Sequence, residues 1–579
     1  MHHNIRQDGD NLSKILGYFS LVLHSHLPYV ISHGTWPHGM DWLNEASAEC
    51  YIPILDTLFQ LVNEGFKPHL TIGLTPILCE QLKSKVFVDD FLVYLENKIR
   101  LASDDKELFV EWKSENLIRL SDMWRNFYTN IIKNFKENYN KDIIGAFKSL
   151  QDKEIIEIIT CGATHGYFPI ISQDYSISNQ ISVGVANYEK MFGKKPQGIW
   201  LPECAYRPGY KWKNPIIKNE EGYERKGVEY FLYENGINYF IVDTHLLMGG
   251  EAMGVYAERF EALKLLWENF KKQYKPSPKN IEKSPYRPYL LSSKDVGIFV
   301  RDPRTSIQLW SAEHGYPGDG WYLEFHKKHF PSGHRYWRIT SSKSSLGDKL
   351  EYMPENVASR LDENASHYKN LIKDLLFDFN KKNNNELGII VAPYDTELFG
   401  HWFFEGPRFL YKVLKWVESD PEIELTTCGK YFNEYPPVNV VQIPEGSWGE
   451  GQGHWIWLNE WTTWTWEKVY ECETKLKKVF ESNKNSKDST VIRLLVQIER
   501  ENLLLQSSDW QFLISTWSAR DYAENRVAEH YNRIQKLLEI LNKYKNTREF
   551  SEESGNYLAK LEQDDNIFGQ EIKKIFHLE

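Results

Sequence analysis

Cysteine is scarce in this chain, with six in 579 residues: Cys50, Cys79, Cys161, Cys204, Cys428 and Cys472. They are widely spaced and form no CxxC pair, which excludes a disulfide framework or a zinc ribbon and fits a reducing compartment. No apolar run reaches the roughly 20 residues of a membrane-spanning helix. The first ten residues, Met1 to Asp10, lack the basic start, apolar stretch and small-residue cleavage site of a secretory signal. A cytoplasmic protein is expected. Positive charge is also in deficit, at 69 Lys and Arg against 80 Asp and Glu, for a net charge of −11. Nucleic acid and anionic membrane surfaces both reward a basic patch, so neither is the expected partner. An uncharged ligand is compatible with this balance.

What the chain has in quantity is aromatic residues: 20 Trp, 33 Tyr and 30 Phe. Most of them fill core. Flat rings also stack on the apolar C–H faces of sugars, and Trp and Tyr add a polar handle.

At this length more than one core is expected. Up to about residue 435, short apolar runs alternate with amphipathic stretches, the pattern of an α/β fold with parallel strands. Strands are expected at 17–24, 68–74, 155–161, 198–201, 238–242, 295–301 and 387–392. Seven are enough to close a barrel. The charged stretch 84–153 has helical periodicity and reads as an inserted helical subdomain within a catalytic domain spanning 15–435. Residues 211–226 and 271–293 read as long loops, which in a compact domain are often lids or binding loops. From 436 to 546 a helical C-terminal domain is expected, followed by an extension, 547–579, of no evident role.

The informative residues follow the strands. Strand one ends in Leu23-His24-Ser25-His26-Leu27-Pro28-Tyr29, and strand three runs into Gly162-Ala163-Thr164-His165-Gly166-Tyr167. Strand four runs into Trp200-Leu201-Pro202-Glu203-Cys204-Ala205-Tyr206. Strand five ends at Asp243, strand six at Arg301-Asp302, and strand seven at Pro393-Tyr394-Asp395-Thr396-Glu397. In a barrel these ends share one rim, where active sites lie. Glycosyl transfer needs two carboxyl groups, one to attack and one to protonate the leaving oxygen. Glu203 and Asp395 are the candidates, each directly after a strand and flanked by apolar or aromatic residues that can raise a carboxyl pKa. His24-x-His26, with His165 and Asp243, also matches zinc ligation as in metal-dependent deacetylases. Neutral histidines donating to sugar hydroxyls give the same pattern, and both readings stand at this point. Six tryptophans between Trp448 and Trp466 are interleaved with glycines. Trp448 and Trp457 are expected to line a glucan groove, while Trp461, Trp464 and Trp466 anchor the helical domain.

These segments, with Ala392-Pro393-Tyr394-Asp395-Thr396-Glu397-Leu398-Phe399-Gly400-His401-Trp402 and the Trp448–Trp466 region, resemble the five signature regions of glycoside hydrolase family 57. They are most similar to its 1,4-α-glucan branching enzymes. The resemblance implies an incomplete (β/α)7 barrel with a helical insertion and an all-helical C-terminal domain. It implies Glu203 as nucleophile, Asp395 as general acid/base, and no metal or other cofactor. His24, His26, His165, Trp310, Trp448, His454 and Trp457 match positions around the sugar subsites. Asp243 and Arg304 join this binding set, Arg304 from the stretch that holds Trp310. Tyr256 is the counterpart of a lid tyrosine that keeps water from the intermediate. The implied partners are α-1,4-glucan chains as donor and acceptor; the sequence leaves the oligomeric state open, with a monomer favoured. A mainly hydrolytic, α-amylase-like enzyme is the alternative. A non-catalytic glucan-binding protein and a metal-dependent deacetylase are the remote ones.

Overall fold

A computed structural model describes residues 15–217, 221–249, 283–311, 315–449, 451 and 453–578. Its strands are β1 (Gly17–Ser25), β2 (Leu70–Leu74), β3 (Ile156–Cys161), β4 (Gly198–Trp200), β5 (Tyr210–Trp212), β6 (Tyr223–Arg225), β7 (Tyr239–Val242), β8 (Tyr289–Leu291), β9 (Gly297–Val300), β10 (Gly388–Asp395), β11 (Ile423–Leu425) and β12 (Val440–Val441). Seven of them run parallel in the order β10-β1-β2-β3-β4-β7-β9, matching the seven expected segments. Every residue of β1 and β2 is buried. A parallel strand covered on both faces requires such continuous apolar sequence, and so lacks the alternation of a half-exposed one.

The curl does not close fully. Between β9 and β10 the wall is reduced to one parallel bridge, Arg301 to Val391, with the Asp302 N–H donating to the Val391 carbonyl at 2.9 Å. This is the incomplete barrel expected from the sequence. Register along β1 and β10 pairs His24 with Asp395, so both side chains emerge at the C-terminal rim. Beyond the seven strands, β8 and β12 extend the sheet past β9, and β11 pairs with β1.

The stretch after β2 folds into helices Lys85–Glu111, Glu115–Lys133 and Ile143–Asp152. Ser84 and Asp142 cap the first and third, their side chains accepting from the Val86 and Gly145 amides. Residues 211–226, expected as a loop, instead contain the antiparallel hairpin β5–β6. Its apolar signal is one buried ring, Trp212, under the Arg225 guanidinium at 5.0 Å, and the charged neighbours masked the strand pattern. Of the second expected loop, 271–293, the portion up to 282 lies outside the described residues, and β8 occupies part of the rest.

After residue 462 the chain is helical: Thr463–Asn483, Ser489–Leu505, Asp509–Thr516, Arg520–Thr547, Glu552–Asp564 and Gly569–Ile575. Ser489–Leu505 is buried on nearly every side from Leu494 onward, as befits a central helix. The terminal extension packs onto this region and the first barrel loop. The Tyr29 hydroxyl donates to the Asp564 carbonyl at 2.9 Å, Arg500 Nε to the Ile567 carbonyl at 2.6 Å, and His33 lies 2.7 Å from Asp565. All six cysteines are buried and unpaired, as the spacing implied. Among the described residues no helix is long and apolar enough to cross a membrane.

Candidate active site

β4 ends at Trp200 and gives way to a turn opened by Pro202, in which Glu203 adopts φ 61, ψ 27. Cys204 and His165 also have positive φ, at 47 and 60. Left-handed backbone at non-glycine residues costs on the order of 1–3 kcal/mol each and persists only where the surroundings impose it. Here the imposing contacts are visible. The Trp448 amide donates to the Glu203 carbonyl at 3.1 Å, and the Ser508 amide to the His165 carbonyl at 2.9 Å.

The strained turn aims the Glu203 carboxyl into a cavity of about 240 Å³. Trp448 Nε1 donates to one carboxylate oxygen at 2.8 Å and Ser508 Oγ to the other at 3.3 Å, with His165 Nδ1 4.0 Å away. Burial pushes the Glu203 pKa up to about 8, Asp395 adds to the rise, and the Trp448 and Ser508 bonds oppose it. Asp395, the last residue of β10, lines the same cavity.

Of the residues expected around the site, His24, His26, His165, Trp310 and Trp448 line this cavity with the two carboxyls. Trp457 does not. It is 1 % exposed, its ring stacks on Tyr167 at 4.4 Å, and its carbonyl accepts from Trp466 Nε1. It is core beneath the groove, drawn inward because glycines beside it let the loop fold tightly: a Cβ on Gly449 would lie 2.8 Å from the Trp457 ring. His454 bridges the Tyr167 hydroxyl at 2.8 Å and Glu445 at 2.6 Å, off the cavity lining. Asp243 is held by Arg301 at 3.0 Å and His245 at 3.3 Å. Burial opposes its ionisation, but these two partners hold its pKa down at about 2. Arg304 is exposed on the helix after β9 and does not reach the cavity. Tyr256 lies outside the described residues.

The histidines form one array. His24 Nε2 meets His165 Nε2 at 3.1 Å, and His165 stacks on His26 with ring centres 3.9 Å apart. Burial, followed by the neighbouring imidazoles, pushes His24 and His165 well below the ordinary histidine value, so both are neutral at pH 7. Asp509 closes the array, accepting from His26 Nε2 at 2.9 Å. Burial opposes its charge, but His26 outweighs that and holds its pKa low. The ligand atoms of His26, His165 and Asp509 lie within 4.8 Å of one another, a donor set that suits zinc. Asp243, expected in that set, is instead paired with Arg301.

The wall also holds Leu27, Glu397, Leu398 and Trp402, which lie in the signature segments without having been singled out, and Asp509 and Phe512, which had no flag in the sequence. Glu397 stands two residues after Asp395. Burial, with Asp395 adding, pushes its pKa up to about 8 although the Tyr51 hydroxyl donates to it at 2.5 Å. Ser508 and Asp509 come from the helical region, about 300 residues after Glu203 in the chain. Their one sequence signal is the polar run Gln506-Ser507-Ser508-Asp509 between two apolar helices.

Two carboxyls on one rim, walled by Trp310, Trp402, Trp448 and Phe512, suit a neutral saccharide. A model of glycosyl hydrolase family 57 matches residues 20–444, nearly all of the barrel. The chain belongs to this family. A second model, described as the C-terminal region of 1,4-alpha-glucan branching enzymes, matches residues 468–576. A 1,4-alpha-glucan branching enzyme of Thermococcus kodakarensis is 40% identical over 559 residues, 95% of this chain and 77% of the relative. The crystal structure of that family 57 branching enzyme, in complex with glucose, superimposes with a TM-score of 0.87, covering 96% of this chain and 95% of the other. The alpha-amylase AmyC of Thermotoga maritima is 28% identical with a TM-score of 0.76, covering 96% of this chain and 99% of its own.

Proposed function

We propose that the chain is a retaining 1,4-α-glucan branching enzyme. It cleaves an α-1,4 linkage, holds the donor chain as a glycosyl ester, and passes it to the 6-hydroxyl of a second glucan. The observation that carries this reading is the shared cavity of Glu203 and Asp395, walled by aromatic rings, in a chain whose barrel matches glycosyl hydrolase family 57 and whose helical region matches branching enzymes.

Glu203 is the nucleophile. Trp448 Nε1 and Ser508 Oγ each hydrogen-bond one of its oxygens and favour the ionised form that attacks the anomeric carbon. Asp395 is the general acid, protonating the leaving oxygen and then taking the proton of the incoming 6-hydroxyl. The two carboxyls share the work of one proton. When Asp395 carries it, its charge no longer raises Glu203, which eases ionisation of the nucleophile. Neutral His24 and His165 offer N–H and lone-pair contacts to sugar hydroxyls without adding charge. The six buried, unpaired thiols support a cytoplasmic enzyme.

The second reading, mainly hydrolytic action, rests on the likeness to the Thermotoga amylase. Incubation with amylose separates them. Many α-1,6 linkages released by a debranching enzyme, with few new reducing ends, are expected. Mostly reducing ends would replace branching with hydrolysis, and activity abolished by chelator would point back to the zinc-type donor set.

A further inference from the structure

At the end of the barrel opposite the catalytic rim, the N-terminal ends of β2 and β3 open onto a cavity of about 580 Å³, against about 240 Å³ for the catalytic one. We propose that this cavity is a second binding site, for a small phosphate-bearing anion.

Five lysines converge on it: Lys67, Lys153, Lys194, Lys195 and Lys430. The chain as a whole is acidic, so such a cluster runs against its composition. Of the three carboxylates in the wall, Glu157 is half-buried and already accepts from the Tyr239 hydroxyl and the Gly429 amide, both at 2.7 Å. Lys430 lies 3.7 Å from Glu424, while among the described residues Lys67, Lys153, Lys194 and Lys195 have no carboxylate within 4.0 Å. The positive field is felt inside: His69 is pushed below its ordinary value by burial, then by Lys430 and Lys67.

A buried donor also stands idle. Gln151 is 2 % exposed, and its Oε1 accepts from the Ile158 amide and the Tyr188 hydroxyl, both at 2.9 Å. That fixes the amide orientation and leaves Nε2 buried without a partner in the cavity wall. Donors and positive charge therefore exceed acceptors, which is what an anion requires. Lysine ammonium groups bind phosphate as point charges. The lining offers one aromatic ring, Tyr188, where the catalytic cavity has four, so a glucan chain finds no stacking platform. The volume lies in the range of small-molecule sites.

The test is calorimetric titration of the full chain with inorganic pyrophosphate, glucose 1-phosphate and ADP, at low and high salt. The wild type and the Lys153→Glu/Lys195→Glu double variant are compared. Binding of at least one probe is expected, weakening with salt and weakened by roughly tenfold or more per lysine in the variant. The variant's basal activity on amylose should be unchanged, since both lysines lie far from the rim. Tighter binding of ADP than pyrophosphate would assign a nucleotide, and tighter glucose 1-phosphate a sugar phosphate. The proposal is overturned if no probe binds the wild type or if the variant binds equally well. Displacement of the anion by saturating maltooligosaccharide would place it in the catalytic cavity and overturn it too.

Discussion

Replacing Trp448 with phenylalanine should reveal how far its indole N–H favours the ionised nucleophile. The substitution retains a ring against Trp200, whose centre is 5.0 Å away, and deletes the indole N–H that donates to Glu203 at 2.8 Å. A hydrogen bond to a charged group contributes about 1.5–3 kcal/mol. It acts only on the ionised carboxylate, so its loss raises the Glu203 pKa further above the value of about 8 set chiefly by burial. One pH unit corresponds to about 1.4 kcal/mol. The acid limb of kcat/KM, which reports the free enzyme, should therefore move to higher pH by roughly 1–2 units. At neutral pH the rate should fall about 10- to 100-fold. The assay is initial branching rate on amylose over a pH series, with thermal unfolding to confirm that the variant is folded. An unmoved acid limb combined with a higher KM would refute the reasoning, because Trp448 would then be a sugar platform with no hold on Glu203.

Asp395→Asn should abolish action on amylose, yet retain the first half-reaction with an α-maltosyl fluoride donor, whose leaving group needs no protonation. Loss of fluoride release would assign the acid elsewhere. Trp457→Ala should lower stability by about 3–5 kcal/mol, as expected for a core ring, and be read as a fall in Tm. A stable variant with weak glucan binding would return Trp457 to the groove. Glu49→Gln should destabilise by about 3–5 kcal/mol, since it leaves the buried Arg335, now 2.9 Å from Glu49, without its counter-charge. Burial works against the Glu49 charge, but Arg335 and His401 hold its pKa down at about 2. Its stabilisation is thus present above the ordinary carboxylate pKa and lost as pH falls toward about 2, so acid unfolding of the variant should lack this component.

The barrel was legible because parallel strands buried on both faces leave dense apolar runs, and all seven stand where those runs are. Glu203 and Asp395 were legible because a polar residue directly after such a run has one place to go, the C-terminal rim. The hairpin β5–β6 was not, since its strands carry a single buried ring, Trp212, among exposed charges. Ser508 and Asp509 were not, because chain proximity carries no trace of a contact formed across the fold. Trp457 failed for a different reason. Tryptophan is equally suited to a sugar face and to a core, and sequence alone does not say which side of a glycine-rich loop it takes. Asp243 follows a strand, but Arg301, directly after the neighbouring strand, captures it, a partner visible only once β7 and β9 are paired.

The last helices supply Ser508 and Asp509 to a centre that otherwise belongs to the barrel, and the terminal extension pins those helices to the first barrel loop. During synthesis the barrel strands emerge first, and domains generally fold as they leave the ribosome. A nascent chain with a finished barrel would hold Glu203 without Ser508 and His26 without Asp509. Catalytic competence therefore waits on the helical region, whose Ser508 and Asp509 complete the site.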